Sequence, residues 1–574
     1  MKAFAPEVAA GFLANGWWDG STWVSRVRNS IDRNPDRVSL IDPPNRTAIA
    51  GGVPRRLTWR EVDAEADAIA LQLLRCGVGS GDVVAVQLPN IVELALIYVA
   101  IVRIGAIISP FPIQYREHEL VDLAGRAGAT AFVTATNILG RLNAAAIQAM
   151  QAEIPTIRNV LAFGDAVPAG AVALAGSTVD ADGRALLDEH YVAHPVEPND
   201  IATICWTSGT ESTPKGVLRS HGGWGAVLCT TIESPGMTAD DVLLCTFPMV
   251  NAGGVGGMFG PWLSVGCTLV LHHPFALDIF LQQITDHRVT YTVSPPAVLT
   301  QLLVAEDLLN TYDLSSLRAI GSGSAPLTPF LIEGWEARGV EVINFFGSNE
   351  GLPLVGDRST IPDPTERSVY FPNFGAAGFD WRVSTAEQTK SRLVDVETGE
   401  VISQANRPGE LRISGPTIFS GYLGGQGDPF DEHGYYRSGD VFEYPDADCR
   451  YLRYVDRAKD LIIRGGVNIS PAEIEALVQS HPKVAEVAAV GVPDEVLGER
   501  VAVFVVPRQG QHLVLSEIIE HLVTQRVAKF KLPERLDVVA ELPRNPVGKV
   551  LKRDLRDRLR AEQVASSAAA SFAH

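Results

Sequence analysis

The sequence predicts an α/β fold in which mostly parallel sheets are flanked by helices, followed by a β-rich portion and a smaller C-terminal unit. Three observations carry that expectation. Strand-like apolar runs alternate with helical stripes as far as about Gly351; the stretch from Leu352 to Tyr436 is richer in Gly, Pro and short apolar runs; and the pattern resets from Ala458 onward. A chain of 574 residues is also too long for one ordinary core, so two or more domains are expected.

The elements follow in order. A Trp-rich stretch, Gly16 to Trp23, comes first. Leu57-Thr-Trp-Arg-Glu61 then leads into Val62, Ala66, Ile69 and Leu73, a spacing of three to four that lines one face of a helix. Gly81 to Leu88 reads as a turn and a buried strand, Val92 to about Ile104 as a helix, and Gly105 to Pro110 as a strand again. Strands alternating with helices in this way build parallel sheets. Pro195 to Asp200 punctuates the chain just before the apolar run Ile201-Ala-Thr-Ile-Cys-Trp206, a buried strand. In the last portion Ser470-Pro-Ala-Glu473 opens a helix, with Ser as N-cap, Pro in the first turn and Glu three residues on. The Ala/Ser-rich end from about Ala565 reads as disordered.

Charge and cysteine usage narrow the function. A net charge of -19 argues against a nucleic-acid binder or a protein drawn to anionic membranes, which would show a basic face. Any phosphate-bearing ligand must then be held by local donors. The six cysteines have no CxxC spacing, so neither a zinc site nor a disulfide framework is expected, and a reducing cytoplasm fits. No apolar run reaches membrane-spanning length uninterrupted, and integral membrane insertion is not expected.

Such donors are concentrated in Thr207-Ser-Gly-Thr-Glu-Ser-Thr-Pro-Lys-Gly216, which packs five hydroxyls, two glycines and one lysine into ten residues directly after a strand. Glycines let the backbone bring N–H groups close to an anion, while the hydroxyls and Lys215 add donors and charge. A Walker-type loop would need Ser or Thr directly after the lysine; Gly216 stands there instead.

Four further segments follow: Phe345-Phe-Gly-Ser-Asn-Glu-Gly351; Tyr436-Arg-Ser-Gly-Asp440; Asp456-Arg-Ala-Lys-Asp460 with Arg464-Gly-Gly-Val-Asn-Ile-Ser-Pro-Ala-Glu-Ile-Glu475; and Pro543-Arg-Asn-Pro-Val-Gly-Lys549. With the phosphate loop, and in this order, they resemble the adenylate-forming superfamily of acyl-CoA synthetases and related AMP-dependent ligases. The resemblance runs from Leu57 to Lys549. It implies a large N-terminal domain, residues 1–456, of several subdomains, and a small mobile α+β C-terminal domain, residues 457–574. It also implies a two-step reaction: a carboxylate attacks the α-phosphate of Mg-ATP to give an acyl-adenylate and pyrophosphate, and a thiol, usually coenzyme A, then takes the acyl group. In-line displacement at phosphorus needs positioning and charge stabilisation rather than a protein nucleophile, which suits these residue types.

The resemblance assigns Thr207, Ser208, Gly209, Thr210 and Lys215 to the β,γ-phosphates. It assigns Glu350 to magnesium, Phe346 and Gly347 to the adenine side, and Asn349 to an α-phosphate oxygen. Asp440 and Arg457 fall on the ribose, and Lys549 bridges carboxylate and α-phosphate. Lys459 falls on the hinge, Gly465 and Gly466 on the channel for the thiol arm, and Asn251, Gly323 and Ser324 on the acyl pocket. Taken singly, Asp440 is read better as a turn residue, and Glu350 reads as well as a solvated loop charge and Arg457, Lys459 and Lys549 as surface charges; the set in family order favours function.

Departures from the family pattern are Glu211-Ser212 where relatives carry Thr-Gly, with Glu211 expected to point outward, and Asn349 in place of threonine. Asn251 stands where relatives have an aromatic or His, followed by Ala252-Gly-Gly-Val-Gly-Gly257. The small run reads either as tight helix packing or as a pocket open to a bulky acyl group, and the preferred acid is expected to be medium-to-large and hydrophobic, alicyclic and steroid-derived acids included. Two rival readings stand beside the acyl-CoA synthetase. One is an aryl-acid or fatty-acyl ligase that loads a carrier-protein thiol; the other is a catalytically silent nucleotide-binding protein on the same fold. A homodimer is left open.

Overall fold

The structure is a computed structural model that describes the chain except residues 175–177, 208–213, 377, 380, 382, 458–459, 465–466, 495–496, 526, 546–548 and 572–574. The residues group into two compact units. One is built from Met1–Thr207, Pro214–Ser391 and Ile413–Tyr436, the other from Arg392–Arg412 and Arg437 onward.

The first unit holds two sheets. One runs, edge to edge, Val172–Leu174, Asn159–Phe163, Ala129–Ala135, Val83–Gln87, Ile107–Pro110, Ile201–Trp206 and Gly216–Ser220. All neighbours are parallel except the last pair. The other runs Gly351–Gly356, Glu341–Ser348, Ala319–Gly323, Tyr291–Val293, Val242–Cys245, Thr268–Leu271, Val38–Ile41 and Arg56–Thr58, antiparallel only at its two edges. Central strands such as Val83–Gln87 and Ile201–Trp206 are buried at every position, as a parallel sheet covered on both faces requires. Trp59–Arg75 realises the expected helical stripe: Val62, Ala66, Ile69 and Leu73 are all buried, and Thr58 caps the helix reciprocally with Glu61.

Topology places a crevice in this unit. Val83–Gln87 is flanked by the strand that follows it on one side and by the next but one on the other, and Val242–Cys245 repeats the pattern in the second sheet. In open α/β sheets ligands bind outside the carboxyl ends of strands at such switch points. The loops that leave both switch points meet there, and Leu88, Pro89, Asn90, Pro112, Gln114, Pro248 and His273 help to line a hollow between them. Asn90 joins the two sheets: its Nδ2 donates to Phe247 O (2.8 Å) and its Oδ1 accepts from Met249 N (3.2 Å).

The second unit contains all or most of the strands Tyr451–Arg457, Tyr436–Glu443, Gly409–Ser414, Lys390–Val394 and Val401–Ile402, in that order across a sheet. It also contains a second sheet built on the long hairpin Val484–Asp494 and Gly498–Pro507. The helices Pro471–Gln479 and Leu515–Thr524 contribute Ile474, Val478, Ile518 and Leu522 to its core. Leu555 and Leu559, from the final helix Lys552–Ser571, pack with Phe504 and Ala488. Ser470 caps its helix as expected, accepting from Glu473 N at 3.2 Å.

Candidate active site

Thr207 and Lys215 close the base of the phosphate loop. The antiparallel strands on either side pair Trp206 with Gly216; beyond them Thr207 N donates to Lys215 O (3.0 Å) and Lys215 N donates to Thr207 Oγ1 (2.9 Å). The loop's two ends are thereby fixed by the strands, whatever its tip holds. Ser208, Gly209, Thr210 and Glu211 lie outside the described residues, as do Lys459, Gly465 and Gly466.

Lys215 leads to Glu350 through one aromatic ring. Its Nζ stands 4.7 Å from the centre of the Tyr422 ring, a cation–π distance. Tyr422 in turn donates its hydroxyl to Glu350 Oε1 at 2.9 Å. Burial and the neighbouring Glu350 carboxylate push the Tyr422 phenol well above its usual range, so it remains a donor at any physiological pH. Glu350 is itself buried, and among the described residues its Oε2 accepts no hydrogen bond. An anionic oxygen facing no donor suits a hard cation such as magnesium, which takes oxygen ligands. Phe346, on the strand that leads to Glu350, packs edge-on against Phe371 at 5.9 Å, and a Cβ on Gly347 would collide with Leu352.

Asn349 has both ends of its amide engaged. Nδ2 donates to Trp206 O (3.1 Å), at the end of the strand that enters the phosphate loop, and Oδ1 accepts from Ala252 N (2.8 Å). It therefore joins the phosphate loop to the Asn251 segment, and one amide N–H remains for a ligand. Asn251 caps the following turn through Gly254 N (3.2 Å). The small residues after it differ in the room around them. A Cβ on Gly254 would strike the Pro248 carbonyl and one on Gly256 would meet Trp224 at 2.8 Å, whereas Gly257 has only Val293 near it, at 3.9 Å. A Cβ on Gly323, at the end of its strand, would strike the Phe345 carbonyl, and Ser324 takes a left-handed φ of 67°.

Cys205 is buried and its thiol pushed up to about 11, and His221 is held down at about 4 by burial, so it is neutral and accepts from Trp23 N.

Two expected site residues of the second unit pair directly, and a third lies within reach of their charges. The strands Tyr436–Glu443 and Tyr451–Arg457 pair Asp440 with Arg457, whose Nε donates to Asp440 Oδ1 at 3.0 Å. Lys549 is held by Asn545, which accepts from Lys549 N at 2.8 Å. Lys549 is exposed as a whole, yet partial desolvation of its ammonium and the charge of Arg457 lower its pKa, against the opposite pull of Asp440 and Asp460. Asp456, next to Arg457, is buried and accepts from Ser470 Oγ (3.0 Å) and Ala472 N (2.8 Å), which ties this strand to the helix Pro471–Gln479.

Sequence reasoning missed Tyr422 and Arg219. Both act across long separations in the chain, to Glu350 72 and 131 residues away, and nothing local marks either one.

Comparison with known proteins agrees with this geometry. Residues 27–423 match the AMP-binding enzyme model and residues 473–549 that of the AMP-binding enzyme C-terminal domain. The chain belongs to the AMP-binding enzyme family, within the adenylate-forming superfamily. It is 29% identical to a medium-chain fatty-acid–CoA ligase of Escherichia coli K12, over 97% of this chain and 94% of that one. It is 33% identical to an indoleacetate–CoA ligase of Aromatoleum aromaticum, over 89% and 95%. Among solved structures, ATP-bound MatB from Rhodopseudomonas palustris matches with a TM-score of 0.75 at 25% identity, covering 94% of this chain and 99% of that one. Among the described residues no helix is long and apolar enough to cross a membrane.

Proposed function

We propose that the protein is an ATP-dependent acid–thiol ligase that activates a carboxylic acid as its adenylate, releases pyrophosphate and passes the acyl group to coenzyme A. The observation that carries this reading is the Asp440–Arg457 pair, whose charges act on Lys549 much further along the chain. An ammonium beside a carboxylate–guanidinium pair matches the roles of α-phosphate contact and ribose acceptor. Lys215 and Thr207 serve the outer phosphates. Glu350 would hold magnesium, which neutralises phosphate charge when bound. Asn349 donates its remaining N–H to the α-phosphate. Lys459 is the hinge, and Gly465 and Gly466 leave room for the thiol arm.

The acid is medium-to-large and hydrophobic, with alicyclic and steroid-derived acids within range. Supporting this are the space beside Gly257 and relatives named for medium-chain fatty acids and indoleacetate. The test is a pyrophosphate-release screen over aliphatic, aromatic, alicyclic and steroid acids, with and without free coenzyme A. Acid-dependent release followed by thioester formation is expected. Release without transfer to free coenzyme A would favour a carrier-protein thiol, and ATP binding with no acid-dependent release would leave only nucleotide binding.

A further inference from the structure

The strand that leaves the phosphate loop carries a buried cation with no part in the roles above. Arg219 is 2% exposed. Its Nη1 donates to the main-chain oxygens of Glu350 (3.1 Å) and Thr417 (2.8 Å), and its Nη2 to Gly223 O (3.1 Å). The guanidinium carbon stands 4.8 Å from the centre of the Trp224 ring. Among the described residues Arg219 forms no ion pair, and its Nε is buried without a hydrogen-bond partner.

Burying a charge without a hydrogen-bonded counter-ion is costly, and simple space-filling is done as well by an apolar side chain. What a guanidinium adds is a rigid, planar fork of donors. Here the fork joins three segments: the helix His221–Glu233, residue Glu350, and the turn that holds Thr417. Two of these carry the ends of the Glu350–Tyr422 pair, since Thr417 lies five residues before Tyr422 in the same connecting segment. The third is continuous with the strand that follows Lys215, whose ammonium sits over the Tyr422 ring. Phe419 N also donates to Glu350 O (2.7 Å), so this one carbonyl receives both the turn and the guanidinium. Beside the fork, Thr417 Oγ1 and Ser420 Oγ are buried with no partner among the described residues. Unsatisfied buried groups are rare in a settled interior and are expected where a polar ligand or ordered water completes the site.

We propose that Arg219 is a positioning residue for the adenylation step, its fork holding Glu350, Tyr422 and Lys215 in the paired geometry into which Mg-ATP binds. The inference rests on the proposed function and adds to it which residue keeps the nucleotide site assembled.

The experiment compares wild type with Arg219→Lys, Arg219→Gln, Tyr422→Phe and the Gln/Phe double variant. Mg-ATP affinity is read by calorimetry without acid, and steady-state rates are read with acid and thiol. Arg219→Gln is expected to weaken Mg-ATP binding roughly tenfold to a hundredfold and to raise the KM for ATP, with the KM for the acid unchanged. Arg219→Lys keeps the charge but not the fork, and should be nearly as weak. Tyr422→Phe breaks the same assembly from its other end, so the double variant should be less than additive. Full recovery with Lys, additive effects in the double variant, or a loss of melting temperature with ATP affinity intact would each overturn the proposal. Should the Gln variant fail to fold, Arg219→Lys with Tyr422→Phe supplies the same cycle. Binding without acid keeps this result separate from the reaction: a wild type that binds Mg-ATP yet activates no acid would sink the proposed function while leaving the role of Arg219 readable.

Discussion

Two cations, Arg457 and Lys552, and two carboxylates, Asp440 and Asp460, act electrostatically on the Lys549 ammonium. If this lysine meets the charge that develops between carboxylate and α-phosphate, Lys549→Ala should cut adenylation by about two to three orders of magnitude. Supplied with ready-made acyl-adenylate, the variant should form thioester at the wild-type rate; equal losses in both halves would remove the role. The direction of its pKa gives a second outcome. The surrounding protein and Arg457 hold it below the 10.5 of an ordinary lysine, so the charged form is lost as pH rises through that lowered value. Adenylation should therefore fall on the alkaline side earlier than a free lysine would allow. Lys549→Arg, which does not titrate there, should move that limb to higher pH even if its rate is poor. An unmoved limb in a pH–rate profile of the arginine variant would assign it to another group.

Packed elements of the first unit are held by a buried ionic cluster. Asp42, at the end of the strand Val38–Ile41, accepts from Val92 N (2.9 Å) at the start of the helix Val92–Arg103. Arg46 bonds both Asp42 (2.9 Å) and Glu93 (2.7 Å). Removing the cation leaves two carboxylates buried together, so Arg46→Met should destabilise by about 3–5 kcal/mol in denaturant unfolding. Burial and Glu93, outweighing Arg46, raise Asp42 to about 6 from 3.8. Its stabilising contribution is thus fully present below about pH 4 and lost as pH rises through about 6, an effect on the order of 3 kcal/mol. Asp42→Asn lacks this loss, and its stability relative to wild type should improve between pH 4 and 7; a constant difference would contradict the assignment. None of this cluster is legible in sequence, because Arg46 and Glu93 meet only through the fold. The Trp59–Arg75 helix with its Thr58–Glu61 cap, the strand Ile201–Trp206 and the Ser470 cap were legible, since each is written in neighbouring residues. The same divide runs through the site. Thr207, Lys215, Glu350, Asp440 and Lys549 sit in compact motifs, whereas Arg219 and Tyr422 gain meaning only from carbonyls and carboxylates brought to them by tertiary contact.

On the scale of the whole molecule, the proposed cycle asks one chain to perform two reactions that need different groups. In that cycle adenylation would use Lys549 and thioester formation the Gly465–Gly466 segment, both in the sequence of the second unit. A single arrangement of that unit cannot serve both steps if both segments act at the same acyl-phosphate atoms. The economical solution is rotation about a short segment joining the strand Tyr451–Arg457 to the rest of the unit, and Lys459 lies just beyond that strand. Proline restricts φ to about −65° and removes the N–H, so Lys459→Pro should lock the segment in one pose. Acid-dependent pyrophosphate release in a single turnover should stay within about threefold of wild type, whereas coenzyme A consumption should fall by at least about a hundredfold, with acyl-adenylate left bound. Lys459→Ala separates the backbone effect from the loss of the side chain and should keep both steps. If the proline variant turns over at the wild-type rate, one arrangement suffices and the two-pose cycle is wrong; if it loses both steps equally, the segment is needed for folding or for the adenylation pose itself.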